Sequence, residues 1–178
     1  SLMEQVIVAS MIETVFEREQ LLAAMSPLTE GVALLKHVAT DATHQLAIFS
    51  NAPDEWVRLY LTHEPFAAIF SNVTTDRILT SGQINLLKPA REAYETVCKK
   101  LGCTLEDIVL IDDTAENVEQ ARGYGMQAIY FDPAEIDRVV DEMVSLELCS
   151  PEDGLALRTQ LRASRSFESH EKPQFFVS

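Results

Sequence analysis

The stretch VLIDDTAENVEQA, residues 109–121, carries the strongest indication of fold in this chain. An apolar run ends at two adjacent aspartates, Asp112 and Asp113, and a segment with helical spacing follows at once. The apolar run is typical of a buried strand, and Thr114 is a residue type that often caps a helix. Two neighbouring carboxylates repel each other, so we expect a positive group beside them, most commonly a divalent cation.

Strand-like and helix-like segments alternate along most of the chain. The predicted strands are QLAIFS (45–50), DIVLID (107–112) and QAIYF (127–131), with AAIFSNV (67–73) as a weaker candidate. The predicted helices are 53–61, 88–102, 114–125 and 133–148. Such alternation with short connections predicts an α/β fold, a three-layer Rossmann-like parallel sheet with helices on both faces.

Two regions follow from this pattern. We expect one α/β domain over residues 1–150, and a C-terminal extension over 151–178 with one short helix (155–162) and a mobile tail. The chain has 178 residues and is 47% hydrophobic and 24% charged, which fits a soluble globular protein. Its net charge of −14 argues against nucleic acid or an anionic membrane as partner. Three cysteines without metal-ligand spacing suit free thiols in the cytoplasm.

Polar residues stand where the predicted strands end. Ser50 and Asn51 end one strand, Lys88 follows a long loop, and the two aspartates end another strand. In an open parallel sheet, ligands bind beyond the carboxyl ends of the strands. Taken singly, each group also suits a turn, a solvated lysine or a helix cap, but together they predict a site for phosphate and Mg²⁺.

Three segments carry a resemblance to a known family. IFSN, SGQINLLKPAREAY and VLIDDTAENVEQARGYGMQAIYF resemble the second, third and fourth motifs of the haloacid dehalogenase-like hydrolase superfamily, in the branch of small phosphatases with a double aspartate in the fourth motif. The resemblance runs from about Pro27 to Phe131. It implies a Rossmann-like domain with a reduced or absent cap, and Mg²⁺-dependent hydrolysis of a small phosphorylated molecule.

The resemblance also implies roles for individual residues. Ser50 and Lys88 take the catalytic positions; phosphate binding falls to Ser50, Asn51 and Lys88, metal binding to Asp112 and Asp113, and Asn117 is a further polar position of the fourth motif. Asn85 stands where the family usually has glycine before the lysine. Asparagine tolerates a positive φ better than other residues with a side chain, so we expect that turn to be kept.

The first motif of the family is missing from this sequence. The family's reaction uses an N-terminal Asp-x-Asp, whose first aspartate attacks phosphorus and whose second acts as acid and base. The first fifty residues contain one aspartate, Asp41, ahead of a different strand and without a partner two positions on. The resemblance therefore implies a phosphatase-type protein that is inactive as given, with two alternatives: a non-catalytic interaction or regulatory domain that binds a protein partner, or a truncated active phosphatase.

Two interpretations of the N-terminal residues remain open. Residues 2–25 could form a cap helix of a fragment that lacks the first strand. Alternatively EQVIVAS (4–10) is that strand, with Ala9 or Ser10 in the nucleophile position and a helix over 11–25. The first strand is central in this family, and each backbone group left unpaired costs roughly 1–3 kcal/mol against a total stability of about 5–15 kcal/mol. This cost favours the strand.

Overall fold

A computed structural model describes residues 6–9, 29–41 and 43–168 of the chain, with side chains for 29–41 and 43–163. Five parallel strands form one sheet in the order β3-β2-β1-β4-β5. The strands are β1 (Val6–Ala9), β2 (Gln45–Ser50), β3 (Ile78–Thr80), β4 (Ile108–Asp112) and β5 (Gln127–Tyr130).

The helices among the described residues follow the strands in the expected alternation. They are α1 (Thr29–Thr40), α2 (Asp54–Tyr60), α3 (Phe66–Ile69), α4 (Ser81–Ile84), α5 (Arg91–Leu101), α6 (Ala115–Gly123), α7 (Ile136–Ser145) and α8 (Pro151–Glu168). Three short 3-10 turns precede β3, β4 and α7, at Thr75–Arg77, Leu105–Asp107 and Pro133–Glu135. Among these helices, none combines the length and the apolar composition that crossing a membrane requires.

The strand β1 lies in the centre of the sheet, between β2 and β4. Its last residue, Ala9, is in register with Ile48 of β2 and Ile111 of β4. Residues 6–9 are therefore a strand, as in the second interpretation of the N-terminus. The run Val6-Ile7-Val8 is β-branched, which suits a strand paired on both sides. Ser10, the helix predicted over 11–25 and the tail beyond Glu168 lie outside the described residues.

The sheet has one hydrophobic core on each face. Because successive side chains of a strand point to opposite faces, Ile48 and Val109 belong to one core while Phe49 and Leu110 belong to the other. The first core packs against α1, α7 and α8, and the second against α5 and α6. The predicted α/β architecture with helices on both faces is confirmed.

Two of the predicted elements differ from the structure. The strand predicted over 67–73 is wrong: helix α3 and a turn occupy this stretch, and the strand beside β2 is β3. A short apolar run fits a helix as well as a strand, and β3 has three residues, too few for a periodic pattern. The helix predicted over 155–162 is longer in the structure and extends from Pro151 to Glu168. Leu157 and Leu161 pack one face of it against the first core.

Candidate functional site

At the edge of the sheet where β2 and β4 end, hereafter the rim, two of the predicted site residues are in contact, Lys88 and Asp112. The Nζ atom of Lys88 lies 2.9 Å from Oδ2 of Asp112 and donates to the carbonyl oxygen of Phe49 at 3.0 Å. Both charged side chains are buried, with exposed fractions of 1% for Lys88 and 0% for Asp112. The positive group that we expected beside the aspartates is therefore, for Asp112, a lysine of the chain.

The carboxylate of Asp112 accepts further hydrogen bonds on both of its oxygens. The backbone N–H of Thr114 donates to Oδ1 at 2.8 Å, and Nδ2 of Asn117 donates to Oδ1 and Oδ2 at 3.2 and 3.1 Å. Thr114 does take the predicted position before α6, although its side chain makes no capping bond. Both oxygens of this buried side chain thus have hydrogen-bond partners, as buried polar groups require. Its direct contact with a metal stays a prediction.

Asp113 has a different environment from its neighbour. It is half-buried, and burial raises the pKa of its carboxyl above the ordinary value, with the charge of Asp112 as the second cause. A cation bound beside Asp113 would favour the charged form of its carboxylate. Metal binding by Asp113 stays a prediction.

The described residues would offer a cation few protein ligands. In the ranges 29–41 and 43–163, no three acidic, histidine or cysteine side chains are grouped closely enough to hold a metal ion. Mg²⁺ commonly keeps several waters and binds through one or two carboxylates together with phosphate oxygens. The site therefore fits a weakly held Mg²⁺ with Asp113 as its carboxylate ligand.

The end of β2 contributes Ser50 and Asn51. Ser50 is fully buried, and its Oγ accepts the backbone N–H of Ala52 at 3.1 Å, which leaves the hydroxyl able to donate. The side chain of Asn51 binds the backbone of Lys88 twice: Oδ1 accepts its N–H at 2.8 Å, and Nδ2 donates to its carbonyl oxygen at 3.0 Å. The direct contact of Asn51 with phosphate stays a prediction.

Two residues that the sequence did not single out support the rim. The hydroxyl of the buried Tyr94 donates to the carbonyl oxygen of Asn117 at 3.1 Å, and its ring meets Phe49 edge-to-face at 5.8 Å between centroids. Burial and the charge of Asp112 raise the pKa of Tyr94, so this hydroxyl stays a donor. Phe49 also places its ring 5.0 Å from Nζ of Lys88. Tyr94 lies within the helix predicted over 88–102, but a helical pattern contains no information on a hydrogen-bond partner.

The turn before Lys88 has the conformation that we expected. Asn85 directly follows α4 as its C-terminal cap and has a φ of 57°, in the left-handed region. Asparagine is among the residues that adopt this region at the lowest cost. The departure from the family's glycine at this position therefore leaves the turn unchanged.

The end of β1 provides no acidic side chain to the rim. Ala9 is in register with Ile48 and Ile111, so β1 ends between the strand that carries Ser50 and the strand that carries Asp112. Neither Ala9 nor Ser10, the next residue in sequence, has a carboxylate. A nucleophilic aspartate is thus missing from the two sequence positions where the family would have it.

Comparison with known proteins identifies the family. The model of the haloacid dehalogenase-like hydrolase family matches residues 2–131. This match covers more than half of the chain, which therefore belongs to that family.

Individual relatives are more distant. An uncharacterized protein from Corynebacterium glutamicum has a similar structure, with 23% identity and a TM-score of 0.56 over 80% of this chain and 94% of that one. A dehalogenase structure has 19% identity and a TM-score of 0.50 over 58% of this chain and 43% of that one. Both show the fold alone. The drimenol cyclase drtB of Aspergillus calidoustus is 36% identical over 56 residues, which are 32% of this chain and 11% of that protein.

Proposed function

We propose that this chain is a phosphatase-type member of its family that binds a phosphate ion or a small phosphorylated molecule at the rim without hydrolysing it. One observation carries the proposal: the buried pair of Lys88 and Asp112 lies at the end of β4, the neighbour of β1, while β1 itself ends in Ala9. The chain thus retains a buried cation that could bind an oxyanion, and it has alanine in place of the aspartate that would attack phosphorus.

Each group at the rim has a role in this proposal. The ammonium of Lys88 neutralises a phosphate oxygen, and the hydroxyl of Ser50 donates a hydrogen bond to another. When bound at Asp113, Mg²⁺ would neutralise further charge on the phosphate. Among the described residues, Lys88 is the cation of the rim and Asp112 and Asp113 are its acids, so an anion binds there more readily once a cation has balanced the second carboxylate.

The missing aspartate explains why we expect no turnover. Covalent phosphoryl transfer in this family begins with attack by an aspartate, and neither alanine nor an unactivated serine can replace it. A phosphate ester would therefore bind reversibly and leave unchanged. We place this activity in the cytoplasm, where the three thiols, all free in the structure, would stay reduced.

Two measurements on the purified chain test this proposal. We expect calorimetric titration with inorganic phosphate in the presence of MgCl₂ to detect weak binding, and p-nitrophenyl phosphate to be hydrolysed no faster than in a blank. Ser50→Ala should weaken phosphate binding roughly tenfold, because one hydrogen bond to a charged ligand is lost. The matched control is Ser71→Ala, whose exposed hydroxyl only contacts the carbonyl oxygen of Ala68.

Two results would contradict the proposal in different ways. Rapid Mg²⁺-dependent hydrolysis that is abolished by Asp113→Ala would mean that the chain is an active phosphatase with another nucleophile. Absence of binding for both phosphate and Mg²⁺ would instead favour an interaction or regulatory domain.

A further inference from the structure

We propose that Asn51 is a positioning residue, which holds Lys88 in place at the rim, and that its side chain does not itself bind the anion. The basis is a pair of hydrogen bonds between residues that are 37 positions apart in sequence. This assignment gives Asn51 a different task from the direct phosphate contact that its place beside Ser50 implies.

The side-chain amide of Asn51 binds both backbone groups of Lys88. Its Oδ1 accepts the N–H of Lys88 at 2.8 Å, and its Nδ2 donates to the carbonyl oxygen of the same residue at 3.0 Å. Turning the amide to face an anion would break both bonds and leave two backbone groups without these partners in a part-buried setting, which is costly. The amide is therefore committed to Lys88.

The ammonium end of Lys88 binds Phe49, which precedes Ser50 in sequence just as Asn51 follows it. The ammonium donates to the carbonyl oxygen of Phe49 at 3.0 Å and to Asp112 at 2.9 Å. Residues 49 and 51 thus bind the ammonium and the backbone of the same lysine, with Ser50 between them. This arrangement fixes the Lys88 ammonium relative to the Ser50 hydroxyl, and two groups that share an anion need such fixed spacing.

The backbone of Asn51 is itself anchored from the neighbouring helix. The hydroxyl of Ser81, the first residue of α4, donates to the carbonyl oxygen of Asn51 at 2.8 Å. The segment from Ser81 to Lys88 is therefore bound to Asn51 at both of its ends. Without the amide of Asn51, the backbone of Lys88 loses its two bonds to the end of β2, and the bond of its ammonium to Phe49 remains there.

The consequence for phosphate binding rests on the proposed function, whereas the contact between Asn51 and Lys88 can be tested without any ligand. We compare the wild-type chain with Asn51→Ala, which removes both bonds, and Asn51→Asp, which keeps an acceptor for the Lys88 N–H. The matched control is Gln83→Ala, because Gln83 is an exposed residue of α4 whose side chain binds Asp54 at 2.7 Å and not Lys88.

Three quantities are measured on each variant: hydrogen exchange of the Lys88 amide, acetylation of the Lys88 ammonium by acetic anhydride, and calorimetric affinity for inorganic phosphate with MgCl₂. In Asn51→Ala we expect amide exchange and acetylation to rise, and phosphate affinity to fall, each roughly tenfold. Asn51→Asp should retain most of the protection of the Lys88 amide, and Gln83→Ala should match the wild type in all three. Asn51→Asp keeps the size of the side chain and serves if the alanine variant fails to fold.

The outcomes separate this inference from the proposed function. A loss of phosphate affinity in Asn51→Ala with unchanged exchange and acetylation of Lys88 would mean that Asn51 contacts the anion directly, which overturns the inference. Faster exchange and acetylation with unchanged phosphate affinity would support the positioning role and overturn only its expected consequence for phosphate binding. If the wild type binds no phosphate, the proposed function fails, and the two lysine measurements alone decide whether Asn51 positions Lys88.

Discussion

The rim and the contact between α7 and α8 both contain ion pairs, but the two regions use them differently. At the rim, Lys88 and Asp112 are exposed by only 1% and 0%. In the α7–α8 seam, by which we mean Asp137 and Asp141 of α7 with Arg162 and Arg158 of α8, the pairs are much more exposed. Arg162 and Asp137, for example, are 68% and 50% exposed.

This difference in exposure indicates what each ion pair contributes. Burying two charges costs desolvation energy, which their attraction and hydrogen bonds only offset. The rim pair is therefore weak evidence for a contribution to stability, and a role of its charges in binding explains it better. Water and salt screen the exposed seam pairs, and such pairs contribute about 0–1 kcal/mol. The contact between α7 and α8 is instead stabilised by apolar packing, with Val140, Met143 and Leu161 in one core.

The largest expected effect comes from removing the cation of the rim. Lys88→Met leaves the buried carboxylate of Asp112 without its counter-charge, and we expect the free energy of unfolding to fall by about 3–5 kcal/mol in urea denaturation at pH 7. Lys100→Met, at an exposed lysine in the last turn of α5, serves as control and should change it by less than about 1 kcal/mol. Adding Asp112→Asn to Lys88→Met should restore part of the loss. Equal effects of the two lysine changes would refute our account of the rim.

The second effect tests the apolar packing between α7 and α8. A Cβ atom at Gly154 of α8 would lie 2.8 Å from Cγ2 of Val144 and 3.3 Å from Cγ1 of Val140. We therefore expect Gly154→Ala to lower the free energy of unfolding by about 1–3 kcal/mol, although alanine is the better helix former. Gly123→Ala in α6, where nothing lies within 4 Å, is the matched control and should be neutral or stabilising. A stabilising Gly154→Ala would show that the two helices can separate at little cost.

The third effect concerns the second carboxylate of the rim. Because burial and the charge of Asp112 raise the pKa of Asp113, ionised Asp113 destabilises the fold. Asp113→Asn should thus raise the free energy of unfolding by on the order of 1 kcal/mol at pH 7 with a chelator present. As the pH falls, Asp113 takes up a proton in the folded wild type before it does so in the unfolded chain. The stabilisation by Asp113→Asn is therefore full at pH values above the raised pKa and disappears as the pH falls towards 3.8, the ordinary pKa of the group.

The control for Asp113 is the cation itself. Excess MgCl₂ should stabilise the wild type against urea more than it stabilises Asp113→Asn, because binding to the folded state adds stability. An equal response of both proteins to MgCl₂ would exclude Asp113 as the metal ligand.

The fold was largely predictable from the sequence. The strands β2, β4 and β5 are bounded apolar runs, and the carboxyl ends of parallel strands meet at one edge, which explains why Ser50, Lys88 and Asp112 were expected together. The strand β3 was missed because three residues have no usable period.

The pairings within the site were not predictable in the same way. Adjacent aspartates indicate that positive charge is needed, but nothing in that pattern distinguishes a metal from a lysine 24 positions away. The contact of Asn51 with the Lys88 backbone depends equally on the folded loop between them. Such long-range hydrogen bonds have no local sequence pattern, so the sequence could predict that these residues lie close together but not which of them bind one another.

The smallest expected effect completes the comparison of the two kinds of ion pair. Arg162→Ala removes one partner of Asp137, but Arg162 is 68% exposed, so water replaces the lost contact. We expect the free energy of unfolding to change by less than about 0.5 kcal/mol, and the difference to disappear in 1 M NaCl, where the Debye length is about 3 Å. Thermal unfolding at low and high salt measures both quantities. A loss as large as that of Lys88→Met would mean that exposure does not separate the rim from the seam, and that the α7–α8 contact depends on its charges as much as on its packing.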